Sequence, residues 1–371
     1  MLCKPIFYAL GPLVALPLAA CSPSQPAPQP KAETVPTTEP APAAPTAPQP
    51  TPATDSHAPP KPGALKTFTD WTVGCDNTLR CTLASLLPAT GGGDMITLNL
   101  TREPGAASHG GGKISLALET RNDQAATKRP PASFAVDGKP IALRDATALA
   151  AAIANAQSLK ILDADGSTLA TLSLKGAAAA LRYIDAQQGR AGSTDAIVAK
   201  GPAASTAPTP PLPVIAAIAP SGTAAKLTAT QVAALRKRAT CDLEGFTPET
   251  HALGGGKSLV IFPCSTGAYN LISALFIVDG TSITPAQLDA PAGFEATGAD
   301  TGTPVKSIIN GDFKNGVLTS YAKGRGLGDC GSHQSFVWDA ARFRLSEQSD
   351  MSECRGNIDY ITTWRAKVVR P

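Results

Sequence analysis

The chain has 371 residues, of which 43% are hydrophobic and 16% are charged, and its formal net charge is only +3. Because the net charge is small and no long basic run is present, the sequence gives no support for nucleic-acid binding. Beyond residue 64 the chain is long enough for two ordinary domains.

Residues 1–20 have the features of a secretory signal: a cation at Lys4, an apolar run and then small residues. The run is short and is interrupted by proline and glycine, so it is a poor membrane span. The tetrapeptide LAAC, which ends at Cys21, resembles the lipobox of bacterial lipoproteins. That resemblance implies cleavage before Cys21 and acylation of the cysteine. An ordinary signal with a chance cysteine at the cleavage site is the alternative.

Residues 21–64 are rich in Pro, Ala, Thr and Gln and have almost nothing to bury, which predicts a disordered tether. It would reach ~130 Å as polyproline II and roughly 35–40 Å as a flexible coil. Ser22 follows the cysteine, and by resemblance to sorted lipoproteins this implies the outer membrane, facing the periplasm. A second Pro/Ala-rich run, 201–226, predicts a linker between an N-terminal domain, 65–200, and a C-terminal domain, 227–371.

In the N-terminal domain we expect an antiparallel sheet and two helices. Asp145 is placed to cap a helix over ATALAAAIANA, and a helix over GAAAALRYIDAQQ ends before Gly189. An Asp-Gly step at 137–138 and the DADG segment 163–166 predict turns within hairpins. The predicted strands lie, in chain order, in FTDWTVGCDN, CTLASLL, MITLNL, ISLALET, FAVDGKPIAL and LKILDADGSTLATLSL.

In the C-terminal domain, Thr228 and Gln231 form a capping-box pattern ahead of the helix VAALRKRAT. An Asn-Gly step at 315–316 predicts a hairpin turn. Both domains therefore belong to the α+β class, mainly antiparallel with a few helices and stabilised by disulfides. The strands expected here lie in KSLVIFPCS, YNLISALFIVDG, VKSIINGDFKNGVLTSYAKG, QSFVWDAARFRLSE and, as an edge strand, TTWRAKVV.

Six cysteines remain in the predicted domains once Cys3 leaves with the signal and Cys21 is acylated. An even set in an exported protein predicts three disulfides, although six thiols allow many connectivities. No C-x-x-C or H-x-x-x-H spacing is present, so disulfides are favoured over a metal site. The spacing along the chain favours the local pairs, which are Cys75–Cys81, Cys241–Cys264 and Cys330–Cys354.

The segment AKGRGLGDCG, 322–331, raises the possibility of a loop that cradles phosphate. Its glycines do not fit the dinucleotide fingerprint, and it lacks the G-K-[ST] ending of a P-loop. We therefore predict a tight turn held by Cys330, with Gly324, Gly326 and Gly328 needed for positive φ or close backbone approach. Exposed charges there would add under about 1 kcal/mol to stability.

Four side chains in and after this loop are the candidate binding residues: Lys323, Arg325, Asp329 and His333. The two cations could present charge to an anion. Cys330 and His333 could form a nucleophile and a base, but an oxidised Cys330 cannot act as a nucleophile. The sequence therefore predicts no catalytic residue, no metal ligand and no cofactor.

Several segments together resemble the domain of unknown function 1176 family, bacterial envelope proteins with six characteristic cysteines. The resemblance covers roughly residues 65–371 and implies an envelope location and disulfides, but no chemistry. The first half, through DWTVGC and SLKGAAAAL, is also similar to the invasion-associated locus B proteins, which are exported and β-rich. The segments that carry the first resemblance are DWTVGCDN, LVIFPCSTGAYN, AKGRGLGDCGS, WDAARFRL and ECRG.

Two hypotheses for function follow from these features. The first is a membrane-anchored envelope lipoprotein with a binding or structural role in the periplasm. Its lipid anchor would lie in the membrane, and its partner would be an envelope protein, a glycan or peptidoglycan. The alternative is an envelope hydrolase with a cleft between its domains. Polar residues that converge on a deep pocket would favour the hydrolase, and shallow surfaces would favour binding.

The lipobox reading of Cys21 makes a direct prediction. Radiolabelled palmitate should mark the wild-type protein, because multiple acyl chains make a stable anchor. The variant Cys21→Ser should lose the label and appear in the soluble periplasmic fraction. An unlabelled wild type would show that the lipoprotein assignment is wrong.

Overall fold

The computed structural model describes residues 58–90, 96–120, 129–299 and 303–370. The predicted signal 1–20, Cys21 and residues 22–57 of the predicted tether lie outside the described residues. The described chain is mostly antiparallel β-structure with three α-helices, which agrees with the predicted α+β class. Among these residues, no helix is long and apolar enough to cross a bilayer.

Five antiparallel strands form the first sheet, each lying beside the next one along the chain. They are β1 (Lys66–Phe68), β2 (Trp71–Cys75), β3 (Cys81–Ser85), β4 (Ile96–Arg102) and β5 (Ile114–Thr120). Every residue of β2 and β3 is buried. The turn between them is stabilised by Asp76, whose carboxylate accepts hydrogen bonds from the backbone N–H groups of Thr78 and Arg80. A short 3-10 helix, Ala107–His109, lies between β4 and β5.

A four-stranded antiparallel sheet and two helices complete the first half. The strands are β6 (Ser133–Val136), β7 (Lys139–Ala142), β8 (Leu159–Leu162) and β9 (Thr168–Leu172), in the order β7-β6-β8-β9. Helix α1 (Ala146–Ile153) begins as predicted, because the Asp145 carboxylate accepts from the Ala148 N–H at 2.9 Å. Helix α2 (Ala177–Gln187) ends before Gly189, which has a φ of 66°.

The third sheet begins the second half and follows helix α3 (Ala229–Arg238), whose capping box between Thr228 and Gln231 is present as predicted. Its strands are β11 (Glu249–Gly254), β12 (Lys257–Thr266), β13 (Leu271–Asp279), β14 (Ser282–Pro285) and β15 (Ser307–Ile309). The first four are neighbours in chain order, and β15 pairs with β13. A 3-10 helix, Gly293–Thr297, lies between β14 and β15.

The fourth sheet is an antiparallel meander, and it carries the site described below. Its strands are β16 (Phe313–Lys314), β17 (Val317–Lys323), β18 (Gly331–Trp338), β19 (Phe343–Met351) and β20 (Ile361–Arg365). The predicted Asn315-Gly316 turn joins the first two strands, with φ of 53° and 75°. Buried side chains of the third and fourth sheets share one core, which includes Leu259, Leu275, Ile308, Leu318, Phe336 and Phe343.

The predicted linker 201–226 contains a strand, β10 (Val214–Ala216). It pairs in parallel with the last strand of the chain, β21 (Lys367–Val369). Ile215 and Ala217 are buried there against Val337. Part of this Pro/Ala-rich run therefore packs onto the fourth sheet.

The two halves of the chain share buried polar contacts. Asn357 donates to the Ser85 carbonyl at 2.9 Å and to Asn99 Oδ1 at 2.8 Å. Arg355 pairs with Asp70. The described residues belong to one compact unit. The structure does not confirm a two-domain layout, so the division at 201–226 stays a prediction.

The cysteines of the described chain pair as the spacing predicts. Cys75–Cys81, Cys241–Cys264 and Cys330–Cys354 are bonded, with Cα–Cα distances of 4.0, 4.3 and 4.7 Å. The first bond joins directly opposed residues of β2 and β3. The third joins Cys330, the residue before β18, to Cys354 in the chain that follows β19.

Candidate functional site

The loop of segment 322–331 connects β17 to β18 and is closed by its own backbone. The Gly324 N–H donates to the Cys330 carbonyl at 2.8 Å, and the Gly328 N–H donates to the Arg325 carbonyl at 3.0 Å. A Cβ on Gly324 would lie 2.6 Å from Cys330 Sγ, which explains the glycine there. The loop is thus a tight turn beside a disulfide.

The three glycines of this loop have different requirements. Gly328 has a φ of 67°, and a Cβ there would lie 2.8 Å from Tyr321 Oη. Gly326 has no positive φ, and the nearest atom to a Cβ would be Tyr269 Cδ1 at 3.5 Å. The expectation for Gly324 and Gly328 is met. The expectation for Gly326 is wrong, because neither backbone strain nor crowding requires a glycine there.

Arg325 and Asp329 form an ion pair within the loop. Arg325 Nε donates to Asp329 Oδ1 at 2.7 Å and its Nη2 donates to Oδ2, while the Gly356 N–H also donates to Oδ2, at 2.6 Å. The Asp329 side chain is fully buried. Burial acts to raise the pKa of Asp329, but the hydrogen bonds from Arg325 and Gly356 outweigh it and hold the pKa below its usual range. Arg325 is therefore not the weakly coupled exposed charge expected from the sequence.

Lys323 and His333 lie near the same aromatic ring. Lys323 Nζ is 5.3 Å from the centroid of the Tyr321 ring, and the His333 ring packs against Tyr321 edge to face at 6.0 Å. Burial lowers the pKa of His333, and the nearby Glu347 opposes that change. Cys330 is in a disulfide, so Cys330 and His333 do not form a nucleophile and base.

A cavity of about 640 Å³ opens on the other face of this sheet. Strand alternation separates the two faces: Tyr321 pairs with His333 on one face, and Ala322 pairs with Ser332 on the other. The cavity is lined by Ala322, Ser332, Gln348 and Asp350 of the sheet and by the Cys330–Cys354 disulfide. Its apolar lining comes from Pro62, Leu65, Pro291 and Phe294.

The inward face of β17–β19 changes from apolar to polar as it approaches the cavity. Side chains directly opposed across the strands share one environment. The three rows, from the core to the cavity, are Leu318–Phe336–Leu345, then Ser320–Gln334–Gln348, then Ala322–Ser332–Asp350. The cavity therefore has a polar floor built on a regular sheet.

Hydrogen bonds fix the floor of the cavity. Gln334 Nε2 donates to Gln348 Oε1 at 2.9 Å, and Gln348 Nε2 donates to the Asp350 carboxylate at 3.0 and 3.2 Å. Thr363 Oγ1 donates to Asp350 Oδ2 at 2.5 Å. Ser332 is 2% exposed, and its Oγ has no hydrogen-bond partner. One buried hydroxyl is thus unsatisfied beside a carboxylate held by neutral donors.

Sequence reasoning identified the rim of this cavity but missed its floor. Lys323 is among the predicted binding residues and lines the cavity, whereas Arg325, Asp329 and His333 are not among its lining residues. Ser332, Gln348 and Asp350 were not singled out. The sequence pattern that indicates these residues is weak. S-x-Q at 332–334 and Q-x-D at 348–350 place polar residues at alternate strand positions, where a buried strand face is usually apolar. A ligand-binding role for Lys323, Arg325, Asp329 and His333 stays a prediction.

The chain belongs to a family described as Protein of unknown function (DUF1176), whose model matches residues 65–367. It is 30% identical over 331 residues to the uncharacterized protein YpfG of Escherichia coli (strain K12). That match covers 78% of this chain and 89% of the relative. No solved structure matches the chain. The expected similarity of the first half to invasion-associated locus B proteins is not shown.

The glycines of the loop provide a matched pair of variants. Gly328→Ala should lower the free energy of unfolding by about 1–2 kcal/mol, because it places a Cβ at positive φ. Gly326→Ala should leave it within about 0.5 kcal/mol of wild type. Urea unfolding of both variants measures the difference. Equal losses for the two variants would contradict this account of the loop.

The buried Asp329 carboxylate makes the stability of the loop depend on pH. Its folded-state pKa lies below the unfolded value, so the stabilisation is present above about pH 4 and is lost as the pH falls through the folded-state pKa. Arg325→Gln should therefore cost about 1–2 kcal/mol at pH 7, a value kept low because the guanidinium is partly exposed. The cost should shrink near pH 3.5.

Urea unfolding at the two pH values measures this effect, with Lys323→Gln as the control. Lys323 has no ion pair in the described part of the chain, so its variant should lose under about 1 kcal/mol at either pH. A loss for Arg325→Gln that does not change with pH would contradict the role given to Asp329.

Proposed function

We propose that this protein is a lipid-anchored envelope protein whose cavity beside the Cys330–Cys354 disulfide binds a ligand. The observation that carries the proposal is the polar floor of the cavity, in which Gln348 and Asp350 are held by hydrogen bonds on a regular sheet. A volume of about 640 Å³ is in the range of small-molecule sites. Sites built on strands and supported by second hydrogen bonds hold their geometry well.

The anchor belongs to the proposal and is supported by the sequence alone. The apolar signal 1–20, the LAAC tetrapeptide at Cys21 and the Pro/Ala-rich run to residue 64 favour export, acylation and a tether. Three disulfides are also typical of exported proteins. The ligand would then be a component of the periplasm, such as part of an envelope protein, a glycan or peptidoglycan.

The hydrolase alternative receives less support from the cavity. A serine nucleophile needs a base within hydrogen-bond reach, and Ser332 Oγ has no partner. The second carboxylate that lines the cavity, Glu295, pairs with Lys306 at 2.6 Å. The arrangement of Ser332 and Asp350 therefore favours binding over acyl transfer or acid–base hydrolysis.

A variant at the rim of the cavity tests the proposal. Ser352 is exposed and lines the cavity, so Ser352→Trp should obstruct it without entering the core. Ser282→Trp is the matched control, since Ser282 is exposed on β14 and is not a lining residue. The mature protein is incubated with the small-molecule and peptide fraction of envelope extracts, and retained ligands are detected by native mass spectrometry.

We expect wild type and Ser282→Trp to retain the same ligand and Ser352→Trp to retain at least about ten times less, equivalent to about 1.4 kcal/mol. Equal retention by both variants, or no retained ligand, would contradict binding in this cavity. Conversion of an extract component by wild type but not by Ser352→Trp would favour the hydrolase instead.

A further inference from the structure

The carboxylate of Asp350 is held in the cavity by neutral groups. It accepts hydrogen bonds from Gln348 Nε2 at 3.0 and 3.2 Å and from Thr363 Oγ1 at 2.5 Å. Within the ranges that the structure describes, Asp350 has no ion-pair partner. Neutral donors orient a carboxylate but leave its charge uncompensated, so a cation that enters the cavity gains a strong partner.

A relay of amides fixes the orientation of this carboxylate. Gln334 Nε2 donates to the Pro291 carbonyl at 2.8 Å, and Gln334 Oε1 accepts from the Gly293 N–H at 3.1 Å. Gln348 Oε1 accepts from Gln334, which leaves the Gln348 amide nitrogen facing Asp350. A flip of either amide would break several of these bonds. The floor is therefore preorganised and needs little rearrangement on binding.

Ser332 supplies a second polar group beside Asp350. The two residues are directly opposed in the pairing of β18 with β19, which places their side chains about 5 Å apart at Cβ. Ser332 is buried, its Oγ is unpartnered, and it lines the same cavity. A buried hydroxyl without a partner is costly, and a donor from a ligand would satisfy it.

Two basic side chains near the cavity, Lys323 and Lys306, are engaged elsewhere. Lys323 lines the rim, but its ammonium lies over the Tyr321 ring, which is on the opposite face of the sheet. Lys306 pairs with Glu295. The remaining lining includes apolar residues, among them Leu65 and Phe294. The cavity thus combines the Asp350 carboxylate, the buried and unpartnered Ser332 hydroxyl, and apolar walls.

From this combination we infer that the cavity binds an organic ligand through a primary ammonium group, which pairs with Asp350 and donates to Ser332 Oγ. This inference rests on the proposed binding function and names its ligand class. An ammonium group has three donors, enough for both partners. A metal ion fits less well, because the described residues contain no group of three or more His, Cys, Asp or Glu side chains that could hold one. The amine can belong to a small molecule or to a peptide.

Three probes of the same shape and different charge test the inference on the mature protein. They are 2-phenylethylammonium, the neutral 2-phenylethanol and the anionic 3-phenylpropionate. Binding is followed by ¹H–¹⁵N chemical-shift titration. We expect the ammonium probe to shift the signals of Ser332, Gln348 and Asp350 and to bind at least about ten times more tightly than the alcohol. The anion should bind most weakly.

Variants connect the binding to the two residues. Asp350→Asn keeps an acceptor for Thr363 but removes the charge, and it should reduce affinity for the ammonium probe to that for the alcohol. Ser332→Ala removes only the hydroxyl and should weaken binding about three- to tenfold. Glu347→Gln, an exposed position on the same strand, is the charge-matched control and should bind like wild type. If Asp350→Asn does not fold, probe selectivity in wild type and the Ser332→Ala result still decide the question.

Equal binding of ammonium and alcohol, or unchanged affinity in Asp350→Asn, would overturn the inference. Displacement of the probe by millimolar Ca²⁺ would indicate a metal site and would also overturn it. The proposed function would still hold after these results if wild type retains a ligand from envelope extracts and Ser352→Trp does not. A peptide with a free amino terminus, compared with its acetylated form, distinguishes a peptide amine from a small-molecule amine.

Discussion

The buried carboxylate of Asp329 constrains the chain that follows β19, where the two halves share buried polar contacts. A fully buried charge without partners would cost several kcal/mol, so the groups that neutralise it must be held in place. One is Arg325, from its own loop, and the other is the backbone N–H of Gly356. The Cys330–Cys354 bond, close to these contacts, joins the same two segments covalently. The disulfide and the hydrogen bond to Asp329 therefore both fix the position of the chain after β19.

The chain fixed in this way makes several of the contacts to the first sheet, and β20 makes others through Arg365, which pairs with Asp76. Arg355 donates to the carbonyl oxygens of Leu87 and Thr69 at 2.7 and 2.6 Å, and Asn357 is fully buried between β3 and β4. Neither side chain could reach these partners if residues 354–357 were displaced. A buried charge in the loop before β18 thereby helps to position the chain that holds the first sheet. The same loop forms the rim of the cavity, so stability and the candidate site depend on one structural element.

Much of the local structure follows from the sequence because its causes are local. Asp145 caps its helix through a carboxylate three residues away, and Cys75 and Cys81 are opposed across a short hairpin. The cavity floor depends instead on strand register, because Ser332 and Asp350 meet only through the pairing of β18 with β19 beyond a bulge. The sequence does not give that register, nor does it distinguish Gly326 from Gly328, whose conformations are set by loop closure. Strand β10 was missed because its partner lies at the far end of the chain.

The Cys330–Cys354 disulfide connects the candidate site to the compartment proposed for the protein. Cys330 is buried and Cys354 is exposed, and both line the cavity. Reduction would remove one of the links between residues 352–356 and the loop, leaving the hydrogen bond from the Gly356 N–H to Asp329. Loss of this crosslink would let the residues of the cavity rim adopt more conformations, because a disulfide acts mainly by restricting the chain. A complete rim is thus favoured where thiols are oxidised, which is the environment that an exported, lipid-anchored protein would meet. The rim of the cavity is thus best formed in the compartment to which the predicted signal 1–20 would deliver the protein.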